Sequence, residues 1–320
     1  MRHMNKVLVT GGAGFIGSHL VPRLLEKGYN VDVFDNLFSG KLENLSAIRG
    51  HPNFGFVRGD IRDPAVLRDA LCGVNAVVHL AALIDVAASV ADPALTHEVN
   101  VTGTLNVLQE ATKCGVKRFV LASSTAVYGD VKSLPVREDA VLRPISPYAA
   151  SKAACEAYCS AFAGCFGLEA VVLRFFNVYG PRNENSPYSG VITKFLRQAA
   201  SGGVLNVEGD GEQTRDFIHV SDVATALTLA LERKKLRAET FNVCTGVPTS
   251  INGLVDALRT VTGKDLCVTQ CPARMGDIRF SYGAASKAAD GLGFKANVDM
   301  KQGLRSLFED VKRDFVSDAR

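Results

Sequence analysis

Tyr148-Ala149-Ala150-Ser151-Lys152 sets a phenol and an ammonium four residues apart, a spacing that on a helix brings both to one face, about a turn apart. A free tyrosine, with a pKa near 10, is a poor base at neutral pH, and bringing it to about 7 requires roughly 4 kcal/mol. A cation at ~4 Å supplies about 1 kcal/mol in bulk water and about 4 kcal/mol at an effective dielectric near 20. Lys152 can therefore activate Tyr148 only in a shielded cleft. The Y-x-x-x-K spacing recurs by chance, and it gains weight from what precedes it. The apolar run Phe119-Val120-Leu121-Ala122 ends in Ser123-Ser124-Thr125. A hydroxyl at the carboxyl end of a strand can reach a cleft and hydrogen-bond both a substrate oxygen and the tyrosine. The chemistry such a set performs is proton transfer at a substrate hydroxyl.

Other elements must bring these groups together. The first two-thirds of the chain alternates short β-branched runs with amphipathic stretches, the pattern of βαβ units and a parallel sheet. Strands are expected at Lys6–Thr10, Val31–Phe34, Phe54–Arg58, Ala76–His79, Arg118–Ala122 and Ala170–Phe175, and helices at Phe15–Lys27, Pro64–Leu71, Pro93–Cys114 and Pro147–Phe166. Connections of this length predict a right-handed, doubly wound α/β sheet of the Rossmann type. After Phe176 the regularity fades into Gly- and Pro-containing loops, followed by helices at Gly190–Ser201, Ser221–Arg233 and Ile251–Thr262. A smaller α/β C-terminal substrate domain is expected there. Residues 1–175 with about 214–245 would form the first domain, and 176–213 with 246–320 the second. Ligands then bind in the cleft at the carboxyl ends of the strands.

The strand Val7-Leu8-Val9-Thr10 runs into Gly11-Gly12-Ala13-Gly14-Phe15-Ile16-Gly17 and then a helix. Gly12, Gly14 and Gly17 fit G-x-G-x-x-G, while Gly11, Gly14 and Gly17 fit G-x-x-G-x-x-G, and spacing leaves both open. Either way, glycines let a pyrophosphate approach the backbone at a helix N-terminus. The next strand ends in Asp35, where a carboxylate grips a ribose diol and repels a 2′-phosphate, which points to NAD rather than NADP. Gly59-Asp60-Ile61 and Leu80-Ala81-Ala82 follow the third and fourth strands, in the order one extended nucleotide would meet them.

The 320 residues are 47% hydrophobic, enough for a sizeable core, and Lys+Arg 36 against Asp+Glu 33 is too even to suggest a nucleic-acid partner. One of the longest apolar runs, Ala76 to Ile84, is broken by His79 and falls well short of the ~18 residues a membrane span needs. No signal-peptide layout precedes the first strand, so a soluble, cytoplasmic protein is expected. The eight cysteines form no C-x-x-C and have no histidines at ligand spacing. They read as small buried hydrophobes, with no metal and no disulfides.

Taken together, Gly11/Gly14/Gly17, Asp35, Asp60-Ile61, Ser124, Tyr148/Lys152, Arg174-Phe175-Phe176-Asn177 and Arg215-Asp216-Phe217-Ile218-His219-Val220 resemble the extended short-chain dehydrogenase/reductases, and within them the UDP-glucose 4-epimerase type. The resemblance runs from about residue 5 to about 295. It implies that Tyr148 removes the sugar 4′-hydroxyl proton while C4 gives hydride to NAD, that Ser124 assists, and that Lys152 also holds the nicotinamide ribose. The 4-keto sugar then turns and takes the hydride back on its other face, so NAD is retained and recycled. Phe15, Ile16, Asn36, Ser39, Gly40, Asn100, Ser123 and Val178 match positions that touch NAD in such enzymes.

On the nucleotide-sugar side the resemblance assigns Ser124 and Thr125 to the sugar, Arg215, Arg274 and Asn177 to the pyrophosphate, Asp277 to the uridine ribose and Val191 to the uracil. Arginines suit the pyrophosphate because their planar fork takes two phosphate oxygens at once. His219 reads as structural. Dehydratases of this group carry Asp-Glu where this chain has Thr125-Ala126, and the uronate decarboxylases carry a carboxylate at the place of Ala126, so both departures favour an epimerase. Ser281 matches the residue that gates the sugar pocket, and serine leaves room for N-acetylated sugars. Other readings on the same scaffold are a uronate 4-epimerase, a decarboxylase, a reductase or a non-catalytic NAD-binding regulator. Helix Pro147–Phe166 is rich in small residues, and a homodimer is expected.

Overall fold

The structure, a computed structural model, describes residues 6–183, 190–273 and 278–318, the last six by backbone alone. Strands β1 (Lys6–Thr10), β2 (Asn30–Asp35), β3 (Phe54–Arg58), β4 (Ala76–His79), β5 (Arg118–Ser124) and β6 (Glu169–Phe175) join one parallel sheet. Two short strands, β7 (Asn177–Tyr179) and β10 (Phe217–His219), pair beside it. β8 (Leu205–Glu208) pairs with β13 (Val268–Cys271), and β9 (Thr214–Arg215) with β12 (Thr249–Ser250). β11 (Glu239–Val243) completes the main sheet, whose order is β11-β6-β5-β4-β1-β2-β3. The strand order reverses between β1 and β4, the switch point where a doubly wound sheet opens a crevice.

Alternation along the strands explains the layers. Val7 and Val9 of β1 join a core with Leu20, Leu24, Val223 and Leu227, whereas Leu8 joins another with Val77, Leu108, Phe119 and Phe162. Both faces are thus buried, as a parallel sheet requires, and each Val or Leu so buried stabilises by roughly 1.5–3 kcal/mol. The first core is covered by α1 (Phe15–Glu26), with α8 (Val220–Glu232) beside it. The second is covered by α2 (Pro64–Ala70), α5 (Gly103–Lys113) and α6 (Pro147–Phe166), and the short α3 (Val86–Ala91) and α4 (Pro93–His97) pack against α6. Beyond β7, α7 (Val191–Ala200), α8 (Val220–Glu232), α9 (Ile251–Thr262), α10 (Ser286–Leu292) and α11 (Met300–Asp318) follow. Of these, α7, α9 and α11 enclose a separate core of Phe195, Leu196, Leu254, Leu258, Leu307 and Phe308, whereas α8 returns to the main sheet.

The helix expected over Pro93–Cys114 is interrupted. α4 and α5 are separated by a π-helical turn, Glu98–Thr102, which carries Asn100; such turns re-aim side chains at the cost of regular hydrogen bonding. β11 had no expectation of its own, because Glu239-Thr240-Phe241-Asn242-Val243 carries polar residues through most of its length. The cysteine expectation holds only for Cys155, Cys159 and Cys244, which are buried; Cys72, Cys165 and Cys267 are exposed. Among the described residues, no helix is long and apolar enough to cross a membrane, and no cluster of three or more His, Cys, Asp or Glu could hold a metal.

Candidate active site

A cavity of about 490 Å³ opens at the carboxyl ends of the strands, walled by the glycine turn after β1, the ends of β2, β4, β5 and β6, and the first turn of α7. Gly11 has φ +69°, and a Cβ there would lie 2.7 Å from the Ala81 amide nitrogen, so the turn and the Leu80-Ala81-Ala82 segment meet backbone to backbone. At Gly17 a Cβ would lie 2.5 Å from Gly12 Cα. α1 starts at Gly14 without a side-chain cap, which leaves its first-turn amides for an anion.

Asp35, at the end of β2, is buried. Its carboxylate accepts the Ala13 amide at 2.9 Å and the Leu37 amide at 2.8 Å. Burial raises its pKa and these two amides oppose the rise. The group is thereby fixed at the rim, where it would take a ribose diol and repel a 2′-phosphate. Next to it, Asn36 donates to Asp60 at 2.9 Å, and the Arg62 guanidinium holds Asp60 down to about 2. The glycine turn into which no side chain fits, the uncapped α1 and the fixed Asp35 together suit NAD.

At the other end lie Ser124, Tyr148 and Lys152. α6 is anchored before it presents them: Ser146 accepts the Ala149 amide at 3.1 Å, and Ser89 of α3 accepts the Tyr148 amide at 3.1 Å. Asn100 reinforces this. Its side chain accepts the Leu83 amide and donates to the Leu83 carbonyl and to Ser151 Oγ, while Ser151 donates to the Tyr148 carbonyl. Both donors of the Asn100 amide are therefore used inside the protein.

The sequence suggests that Lys152 makes Tyr148 a base, and the structure divides that task differently. Burial pushes the Tyr148 phenol up to about 12, and the group that opposes this is Ser124, through a side-chain hydrogen bond. The Lys152 ammonium donates to the Ala122 carbonyl at 3.0 Å, and burial lowers its pKa. Ser124 thus sits where it can both steady the phenol and meet a substrate oxygen.

The cavity gathers Gly11, Gly14, Phe15, Ile16, Gly17, Asp35, Asn36, Ser39, Gly40, Asp60 and Ile61 at one end. Leu80, Ala81, Ala82, Ser123, Ser124, Tyr148, Lys152, Asn177, Val178 and Val191 line the rest. Ser123 contributes without its hydroxyl, which is given to Glu156. Asn100, Thr125, Arg215 and Ser281 are not among the lining residues. Arg215 lies in β9 and donates to the Thr214 carbonyl at 2.8 Å, and Ser281 bonds that strand through its amide. Arg274 and Asp277 lie outside the described residues. Sequence reasoning gave no role to Ser89, Ser151 or Glu156. The one available signal was Glu156 itself, the single acidic residue of α6.

Comparison with known proteins agrees with this geometry. Residues 7–244 match the family model described as NAD dependent epimerase/dehydratase family. A UDP-glucose 4-epimerase of Mycolicibacterium smegmatis is 38% identical over 307 residues, covering 95% of this chain and 97% of its own. Among solved structures, the UDP-glucose 4-epimerase of Thermotoga maritima with UDP-glucose superposes with a TM-score of 0.91 at 40% identity, covering 97% of this chain and 99% of that one. The UDP-N-acetylglucosamine 4-epimerase of Methanobrevibacter ruminantium, in complex with UDP-N-acetylmuramic acid, gives a TM-score of 0.91 at 39% identity, covering 98% and 99%. The chain is an epimerase-type enzyme and belongs to the NAD dependent epimerase/dehydratase family.

Proposed function

We propose that this enzyme interconverts the 4-epimers of a UDP-hexose, UDP-glucose with UDP-galactose, and that it also accepts UDP-N-acetylglucosamine and UDP-N-acetylgalactosamine. The observation that carries this reading is the half-buried Ser124 beside the buried Tyr148 at the far end of a cavity whose near end suits NAD. Tyr148 Oη takes the proton of the sugar 4′-hydroxyl and later returns it. Ser124 donates to the phenolate and aligns the hydroxyl, and Lys152 keeps a positive charge beneath both. NAD in the cavity would supply reversible hydride transfer at the sugar C4. The glycine turn, Asp35 and the Leu80–Ala82 backbone hold that cofactor. Asn177 and Val191 in the cavity, with Arg215, Arg274 and Asp277, serve the UDP group, and residues 176–213 and 246–320 form its domain.

A neutral hexose fits better than a uronate. Among the described residues, the cations lining the cavity are Lys152, which donates to Ala122, and Arg62, which is paired with Asp60 and Glu98. A C6 carboxylate would meet no free cation there, and an unpaired buried charge is costly. Ser281 in place of a bulky gate leaves room for the acetamido group. We also assign a homodimer, with α6 in the interface. Its Tyr158 and Phe166 are exposed, and sedimentation at a monomer's mass would refute that assignment. Tyr148→Phe tests the reading as a whole. Turnover of UDP-galactose should fall by about a thousand-fold or more, the upper range for removing a general base, with NAD still bound. Retained turnover would exclude Tyr148 as the base.

A further inference from the structure

Glu156 lies on α6 one turn beyond Lys152, and the reaction as described gives it no task. It is only 7% exposed, and its partner Arg174 of β6 is 5% exposed. The carboxylate accepts three hydrogen bonds from two Arg174 nitrogens, at 2.7, 3.0 and 3.2 Å, and one from the Ser123 hydroxyl. The remaining Arg174 nitrogen donates to Tyr128 Oη at 2.8 Å and to the Glu138 carbonyl at 3.0 Å, and the guanidinium lies 4.7 Å from the centre of the Tyr128 ring. Tyr128 in turn donates to Asn242 of β11 at 2.6 Å.

Ser124 therefore sits between two anchored residues, Ser123 on one side and Tyr128 at the end of the following 3-10 turn, and both anchors run to one ion pair. The same pair is rooted in α6, the helix that carries Tyr148. Strand end and helix are separate elements, and Ser124 and Tyr148, which line one cavity, face each other productively only if the two are held at a fixed separation. Desolvation makes a buried ion pair a poor source of net stability, and an apolar pair of similar volume is often as stable. Its retention here fits a positional task better than a stabilising one.

Building on the assignment of Tyr148 as the base, we propose that Glu156 and Arg174 are positioning residues that hold the Ser124 hydroxyl against the Tyr148 phenol. The titratable and charged groups around the cluster are Tyr148, Lys152, Cys155 and Cys159 on α6, Tyr128 and Glu138 from the segment after β5, and Arg174 from β6, while His79 of β4 faces Lys152. Ser124 is the member of this neighbourhood that lowers the Tyr148 pKa. Misalignment of its hydroxyl should therefore show as an alkaline displacement of the pH dependence of kcat.

The test is the double variant Glu156→Met/Arg174→Met in the full chain saturated with NAD, with UDP-galactose as substrate. The expected result is a melting temperature and KM close to those of the unaltered chain, a kcat lower by about ten- to a hundred-fold, and a kcat–pH profile moved to higher pH. Turnover within two-fold of the unaltered chain, or a lower kcat on an unmoved profile, would overturn the proposal. Should the double variant not fold, Tyr128→Phe severs the link to the turn while keeping the ion pair. It should move the profile in the same direction by less, and an unmoved profile there overturns the proposal too. Tyr148→Phe, run in parallel, separates the two ideas. If it is active, the base is misassigned; if it is inactive while the pair variants behave normally, only the positioning role fails.

Discussion

Replacing Ser124 by alanine removes the one group that counters burial at Tyr148. At about 12, the phenol stands some five pH units above neutrality, which amounts to about 7 kcal/mol at ~1.36 kcal/mol per pH unit. The hydrogen bond that Ser124 offers the phenolate, ~1.5–3 kcal/mol, is already contained in that value, and removing it raises the phenol further. Ser124→Ala should therefore lower kcat by about ten- to 150-fold, since each ~1.36 kcal/mol is tenfold in rate. The base must be deprotonated, so activity rises with pH through the phenol's pKa, and loss of the stabilising bond moves that rise upward by about one to two pH units. The assay is steady-state epimerisation of UDP-galactose from pH 6 to 10 with NAD saturating. A kcat within two-fold, or an unmoved profile, would refute the assignment of Ser124.

Gly11→Ala would place a Cβ 2.7 Å from the Ala81 nitrogen at φ +69°, so NAD retention on gel filtration should fall at least ten-fold while the fold, by circular dichroism, persists. Asp35→Asn removes the charge that excludes a 2′-phosphate, and the ratio of NAD to NADP affinity by calorimetry should narrow by about ten-fold or more. Ser281→Tyr should depress turnover of UDP-N-acetylgalactosamine and spare UDP-galactose; full activity on the N-acetylated sugar would undo the gating role. His79 is buried between Thr10 and Thr104, with burial holding its pKa down to about 3. The unfolded chain takes up that proton near pH 6.5, so the stability this neutral imidazole contributes is complete above pH 6.5 and is lost as pH falls towards 3. The melting temperature should drop between pH 7 and pH 5, and His79→Asn should flatten that slope.

The parallel sheet was legible because β1, β4, β5 and β6 are continuous apolar runs, which only a strand buried on both faces requires. The glycine turn and Asp35 were legible for the same kind of reason: steric and charge constraints leave few residue types at those positions. Asn100 was less transparent. Its type and place fit a cofactor contact, but its amide spends both donors on Leu83 and Ser151, and pairing between segments distant in sequence leaves no local pattern. The division of labour between Lys152 and Ser124 was hidden for a related reason. Spacing on a helix tells which face a lysine shares with a tyrosine, whereas the carbonyl of Ala122 that takes its ammonium arrives from another element. Ser89 and Glu156 belong to the same class.

Epimerisation with a recycled cofactor can be followed by proton NMR of the purified chain with UDP-galactose, without added NAD. The gluco epimer should appear to equilibrium at many turnovers per enzyme, with no accumulating keto sugar. No conversion, even after NAD is supplied, would contradict it.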